Sequence, residues 1–360
     1  MHFSKRNLFL FILFFSLISH FLFPFLVLYS EKTSFIWHKI GSRVIPKKEY
    51  DLAILGDSQL MSGIHPKVLD MQLKENGKPL DILYYPRPSE QPEGIYKLLL
   101  DFHNSGIKIK TLLVNISPVT SSKNTIVDAH KTLSQNFQPF SLQIHLDKDL
   151  NKFYLKNLSG NLYYLFLQAF PLLKLNGNFS NEIKLIPGSE GIQHNKDMNA
   201  FLEVNFFGNL NSNKEKNLFL EKSLPEENFY FEWGNFSSYT GECKERKESL
   251  SLPAGIEAAF LTPRKESLNF WLKIGEYAKL NNIRMIYLYA PFSPEAEAKI
   301  RSTEVTSPIQ MNLQEISAKF GKESILKIEP TLFTSADFKD YTHLNVCGML
   351  KLTKELANRL

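Results

Sequence analysis

Three short, almost uninterrupted apolar runs separated by stretches of helical periodicity constrain this chain more than any other feature. Residues 50–55 (YDLAIL) form the first, Leu80 to Tyr85 the second and Ile109 to Ile116 the third. Runs of this length without polar alternation suit strands buried on both faces. Between the first two, Pro66 fits the first turn of a helix running to about Glu75, and Asn76-Gly77 marks its end. Between the second and third, Pro92 opens a pattern with Ile95, Leu98, Leu99 and Phe102 on one face, closed by Gly106. Strand, helix, strand, helix, strand at this spacing predicts a parallel sheet with crossover helices, an α/β fold.

From about Thr120 to Pro263 the rhythm breaks. Asn-rich and Gly-containing segments such as Leu175 to Asn181 and Gly208 to Asn213 alternate with aromatic runs such as Tyr163 to Phe170, the pattern of an inserted region. Regularity returns with a helix from about Lys265 to Leu280 and a strand from Ile283 to Ala290, followed by Pro291. A last short strand is expected at Ile325 to Ile328, and a closing helix from about Asn345 to Leu360.

Ahead of this domain, Leu8 to Tyr29 is a run of 22 residues without an acidic, Lys or Arg side chain, the length needed to cross a bilayer core as a helix. A secretory signal peptide is the rival reading, since Lys5 and Arg6 precede the run. The length of the run and the absence of a small-x-small site at Tyr29-Ser30-Glu31-Lys32 favour an uncleaved anchor. Residues 1–30 are thus expected to be a cytoplasmic tail and anchor, 31–48 a linker and 49–360 the domain carrying the 120–263 insertion. Lys5 and Arg6 favour a cytoplasmic N-terminus, but Lys32, Lys39, Arg43, Lys47 and Lys48 follow the run, so charge alone does not orient it. Pro24 and His20 fit a tolerated kink and a side chain turned to a partner helix or a local water.

The net charge of +5 is dispersed in Lys clusters near Lys47, Lys214 and Lys247 that alternate with acidic residues, a solvated surface rather than a nucleic-acid footprint. The two cysteines, Cys243 and Cys347, have no neighbours at zinc-ligand spacing, and no metal or other cofactor is called for. Such sparse use fits a reducing compartment or an envelope protein independent of disulfides, and leaves one bridge between the two open.

Two short motifs carry chemistry. Gly56-Asp57-Ser58 follows the first buried strand directly, at the carboxyl end where parallel sheets build their sites, and Gly56 permits a sharp turn there. A serine on such a turn presents its hydroxyl outward and its own N–H to a developing oxyanion. The same triplet also makes an ordinary turn and helix cap. Asp340-Tyr341-Thr342-His343 stands just before the closing helix. A hydroxyl nucleophile needs a base and the base an acidic partner, and Asp and His three apart can supply both.

Taken together, these blocks resemble the first and last blocks of the SGNH (GDSL) hydrolase superfamily. The likeness continues through Leu344, Asn345 and Gly348 and into a terminal helix. Ala290-Pro291-Phe292-Ser293-Pro294 is similar to the strand end of the membrane-anchored branch with DltD-like, AlgJ-like and AlgX-like proteins, and the chain also resembles a spirochaete envelope family of this type. The resemblance spans about Asp51 to Pro118 and Ser267 to Leu360. It implies a three-layer α/β/α sandwich around a central parallel sheet, the domain lying outside the cytoplasm, with Ser58 as nucleophile, His343 as general base and Asp340 orienting it.

Two blocks depart from the pattern. After the second strand, Tyr85-Pro86-Arg87-Pro88-Ser89 supplies no glycine before Gly94, and Asn115-Ile116-Ser117-Pro118-Val119 stands where a Gly-x-Asn-Asp belongs. Oxyanion or substrate-contact candidates are therefore Gly56, Asp57, Arg87, Ser89, Asn115 and Ser117, beside the Ser58 N–H. His65, next to Pro66, suits a helix start better than a second base. His103, His130, His145 and His194 lack partner spacing. Phe229, Tyr230, Phe231 and Trp233 fit either core packing or a glycan groove. The resemblance implies a serine esterase or O-acyltransferase acting on an acylated glycan or other cell-envelope polymer, with a membrane acyl-transfer protein as a further partner. The alternative is a catalytically inactive envelope protein of the same fold that binds a glycan or a protein.

Overall fold

A computed structural model of the chain describes residues 5–29, 49–86, 90–117, 120, 143–154, 162, 165–166, 169–170, 264–302, 308–338 and 340–360. The linker, most of the region expected as an insertion, Arg87, Ser89, His130, His194, Cys243 and the aromatic run 229–233 lie outside them. The chain divides into two compact units, one of residues 1–46, 97–105 and 128–197, the other of 47–96, 106–127 and 198–360.

The first unit contains α1 (Lys5–Tyr29), one helix long and apolar enough to cross a membrane. In the second unit the chain runs through β1 (Glu49–Leu55), α2 (Ser58–Gly63), α3 (Pro66–Glu75), β2 (Ile82–Tyr84) and the start of α4 (Pro92–Asn104), then β3 (Lys108–Ile116). The short helices α5 (Gln143–Leu146) and α6 (Lys148–Tyr154) belong to the first unit. The second resumes with α7 (Lys265–Leu280), β4 (Arg284–Tyr289), α8 (Pro294–Ser302), α9 (Pro308–Phe320), β5 (Ile325–Lys327) and α10 (Val346–Arg359). The α/β fold expected from the alternation is present. All five strands pair in parallel in the order β2-β1-β3-β4-β5. The chain turns one way from β1 to β2 and the other way to β3, so the order reverses across the carboxyl end of β1, where open parallel sheets leave a crevice.

Local chemistry sets the helix boundaries. His65 caps α3, its Nδ1 accepting the Val68 N–H at 3.3 Å, with Pro66 as first helical residue. The helix leaves through a Schellman motif at Asn76-Gly77, in which the N–H groups of Lys78 and Gly77 donate to Leu73 and Lys74. The second strand is shorter than its apolar run, because Leu80 and Asp81 precede the paired residues Ile82 to Tyr84. Helix α2 is separate from α3, and α8 and α9 were not expected from the sequence.

Both faces of the central strands are buried. Leu52, Ile54, Leu113, Ile286 and Leu288 share a core with Leu60 and Ile64 at α2, Leu69 and Leu73 of α3, and Leu352 and Leu356 of α10. Tyr287 points the other way. Its ring meets Trp271 of α7 edge-on at 6.2 Å and lies near Phe320 of α9, and its hydroxyl donates to the Trp271 carbonyl at 2.7 Å. At the starts of α4 and α7, Arg264 and Glu93 form a buried ion pair at 2.5 Å, with Gln91 accepting from the same guanidinium at 3.3 Å. Cys347 is disulfide-bonded, and the chain has one other cysteine, Cys243.

Candidate active site

Ser58 is the first residue of α2, immediately beyond the carboxyl end of β1. Asp57 caps that helix, its Oδ1 accepting the Gln59 N–H at 2.8 Å. Register explains the tightness of the turn. Leu55 pairs with Val114, which carries Asn115 up beside Gly56. A Cβ on Gly56 would stand 2.1 Å from Asn115 Oδ1 and 2.7 Å from Leu60, so only glycine fits. Asn115 then closes a buried lattice around Asp57: its Oδ1 accepts the Asp57 N–H at 3.1 Å and its Nδ2 donates to Asp57 Oδ1 at 2.7 Å. Ser117 Oγ donates to Asp57 Oδ2 at 3.1 Å. Burial pushes the Asp57 carboxyl above its ordinary range, opposed by the bonds from Asn115 and Gln59, the charge of His343, and Ser117. Beneath the serine, the Tyr84 hydroxyl lies 3.0 Å from the Leu60 and Ile64 carbonyls and holds the far end of α2.

The second motif is a loop pinned on three sides. Leu344 is buried and bridges Phe338, while Asn345 caps α10, its Oδ1 accepting the N–H groups of Cys347 and Gly348 at 3.0 and 3.2 Å. Asn345 Nδ2 donates to the Ala336 carbonyl at 2.6 Å. Gly348 lets α10 approach the Asp337 carbonyl, which a Cβ would meet at 2.3 Å, so Leu-Asn-x-x-Gly has a packing reason here. From the β4 end, the Ser293 N–H donates to the Tyr341 carbonyl at 3.1 Å. From α2, Gln59 Nε2 donates to the Thr342 carbonyl at 3.1 Å and ties the two motifs together.

The structure brings Ser58, His343 and Asp340 into one hydrogen-bonded chain. His343 Nε2 lies 2.8 Å from Ser58 Oγ across 285 positions of sequence, and Nδ1 lies 2.9 Å from Asp340 Oδ2. Asp340 Oδ1 accepts the N–H groups of Thr342 and His343, both at 2.8 Å, and the Thr342 hydroxyl at 3.1 Å. Burial opposes ionisation of Asp340, but the imidazole and these N–H groups outweigh it and hold the carboxyl well below the usual carboxylate range. An ionised Asp340 makes Nδ1 the protonated ring nitrogen, which leaves Nε2 to accept the serine proton.

The other candidates divide. Asp57, Asn115 and Ser117 are buried with their donors engaged in the lattice behind the serine, and the Ser117 N–H donates to Thr120 Oγ1 at 3.1 Å. Through these bonds they hold the start of α2. Gly56 contributes space, and Arg87 and Ser89 lie outside the described residues. At N1, the Ser58 N–H has no acceptor within its own helix and points out of the helix start. His65 is a helix cap, His103 is exposed and His145 half-buried. Gln59 and Tyr84 receive no role from the sequence, and Ser293 only a place in the strand-end resemblance, since their partners appear only once the sheet is assembled. Among the described residues, no group of three or more His, Cys, Asp or Glu side chains gathers to hold a metal ion. No protein-family model matches the chain, and no curated protein matches it.

Proposed function

We propose that this chain is a membrane-anchored serine esterase or O-acyltransferase of the SGNH type, a three-layer α/β/α sandwich acting on an acylated cell-envelope glycan or polymer. The observation that carries the reading is the Ser58–His343–Asp340 chain, with 2.8 Å between Oγ and Nε2 and 2.9 Å between Nδ1 and Oδ2, the reach general-base catalysis requires. Strand order 2-1-3-4-5, with Ser58 at the switch point, supports the same reading.

Ser58 Oγ attacks the acyl carbonyl as His343 Nε2 takes its proton, and the imidazolium is stabilised by Asp340. The carbonyl oxygen develops negative charge toward the Ser58 N–H. Collapse expels the alcohol, which receives the proton from Nε2 and leaves an acyl-serine. Water or a sugar hydroxyl then gives its proton to Nε2 and attacks the acyl-serine; the acyl–Oγ bond breaks, Nε2 returns the proton to Oγ, and the acid or the new ester leaves. The disulfide at Cys347 supports an oxidising compartment, and with α1 as anchor it supports a domain outside the cytoplasm.

A second reading has its own observation. Asn115 and Ser117, which stand where the superfamily pattern supplies an oxyanion donor, are engaged with Asp57 and Thr120, as expected of a binding protein that keeps the fold without turnover. A fluorophosphonate probe separates the two. The enzyme reading expects stoichiometric labelling located at Ser58 by peptide mass, abolished in Ser58→Ala and reduced by about 10³ or more in rate in His343→Ala. A folded protein that resists the probe would give the lead to the binding protein.

A further inference from the structure

The polar side chains of the apolar run in α1 are Ser16, Ser19 and His20. Spaced by three and four, they share one helix face. Ser19 is fully buried and Ser16 and His20 half-buried, whereas Phe11, Phe14, Phe15 and Leu17 are exposed. What covers part of that face is a segment of the same compact unit, 145 or more positions along the chain from Ser16. Ser16 Oγ donates to the Ala169 carbonyl at 2.6 Å, and the Phe15 and Phe170 rings lie 5.9 Å apart.

That segment is itself apolar. Residues 162–173 (LYYLFLQAFPLL) are 12 residues without a charge, too few to cross a bilayer and the length of an interfacial or re-entrant piece. Leu162, Leu165, Phe166 and Ala169 are helical, and the Phe170 N–H donates to the Phe166 carbonyl at 2.8 Å. Pro171 disfavours helix at Phe170, so the Ala169 carbonyl belongs to the last turn and has no partner within its own helix. In hydrocarbon such a carbonyl needs a substitute donor, and the Ser16 hydroxyl is one. Leu162, Leu165 and Phe166 are 47%, 46% and 54% exposed, continuing the apolar surface of α1. Ser16 is near the middle of the 25 residues of α1, about 17 Å from one end and 20 Å from the other at 1.5 Å per residue.

We propose that Leu162, Leu165, Phe166, Ala169 and Phe170 belong to a second membrane element, entering the bilayer beside α1 and turning Leu162, Leu165 and Phe166 to the lipid acyl chains. This rests on α1 being the anchor. Attachment is then bipartite. Ser16 on the anchor's polar face is satisfied by the segment, and the segment's terminal carbonyl by the anchor.

Depth-resolved quenching on the full chain in phosphatidylcholine vesicles tests it. An environment-sensitive fluorophore is attached to Phe166→Cys, with Leu13→Cys reporting α1 and Leu280→Cys, at a position 82% exposed in the other unit, as the aqueous reference. Cys347 is held in its disulfide, so labelling reports the introduced thiol. Probes at positions 13 and 166 are expected to be quenched severalfold more by lipids brominated on the acyl chain than by aqueous iodide, and the probe at 280 the reverse. Iodide quenching at 166 with lipid quenching retained at 13 overturns the second element and leaves the anchor. Iodide access at both overturns the anchor reading as well. Shielding of 166 from both quenchers means that protein covers it, and overturns the proposal. Should Phe166→Cys fail to fold, Leu165→Cys takes its place.

Discussion

At the scale of single residues, the site depends on two carboxyl groups in opposite circumstances. Asp340, 38% exposed at its side chain, is held ionised by the imidazole and two backbone N–H groups against a partial burial cost. Its titration in the folded state lies below the ordinary value of 3.8, so its charge stabilises the fold at neutral pH and that contribution is lost as pH falls through the lowered value. The stability gap between the protein and Asp340→Asn, from urea unfolding, should stay flat from about pH 7 to about pH 5 and narrow on further acidification. A gap unchanged to about pH 3 would count against an ionised Asp340. Asp57, by contrast, is raised by burial and belongs to the lattice with Asn115 and Ser117. Gly56→Ala drives a methyl group into Asn115 Oδ1 and should cost about 1–3 kcal/mol while slowing probe labelling of Ser58. Unchanged labelling would show that the Asn115 lattice does not position α2. Ser58, His343 and Asp340 were legible in the sequence because each belongs to a short motif with its own chemistry. For Asn115 the sequence offers only an oxyanion or substrate candidate, because its bonds to Asp57 depend on the Leu55–Val114 register, which no local pattern encodes.

Among the elements, the strands were legible because burial on both faces leaves almost unbroken apolar runs, and α3 and α7 because Pro66 and the apolar spacing mark them. Helix α2 was not, since its six residues are too few to show a period and its start coincides with the serine motif. Nor was the clasp between α4 and α7, where Arg264 and Glu93 meet 171 positions apart in a buried pair. Removing one partner of such a pair strands the other charge. Arg264→Met should therefore cost about 3–5 kcal/mol by urea unfolding, and adding Glu93→Gln should recover much of that loss. Equal costs for the single and double variants would mean that the guanidinium contributes packing alone.

For the whole molecule, the proposed orientation has a direct readout. Protease added outside intact spheroplasts of an expressing bacterium should digest the α/β unit and leave a membrane-protected fragment containing α1. Protection of the whole chain would place the domain inside and remove the envelope substrate. The separation between nucleophile and base has a further consequence, in time instead of space. Ribosomes add about 5–20 residues per second, so the 285 positions from Ser58 to His343 correspond to tens of seconds of synthesis. On the proposed chemistry, the serine hydroxyl has no base to activate it throughout that interval, and the chain is born chemically silent. On that same proposed chemistry, reactivity switches on only when the final segment has been made and Leu344, Asn345 and Gly348 seat the closing helix, so a chain cut short by premature termination yields an inert product instead of an unregulated acyl-transfer agent.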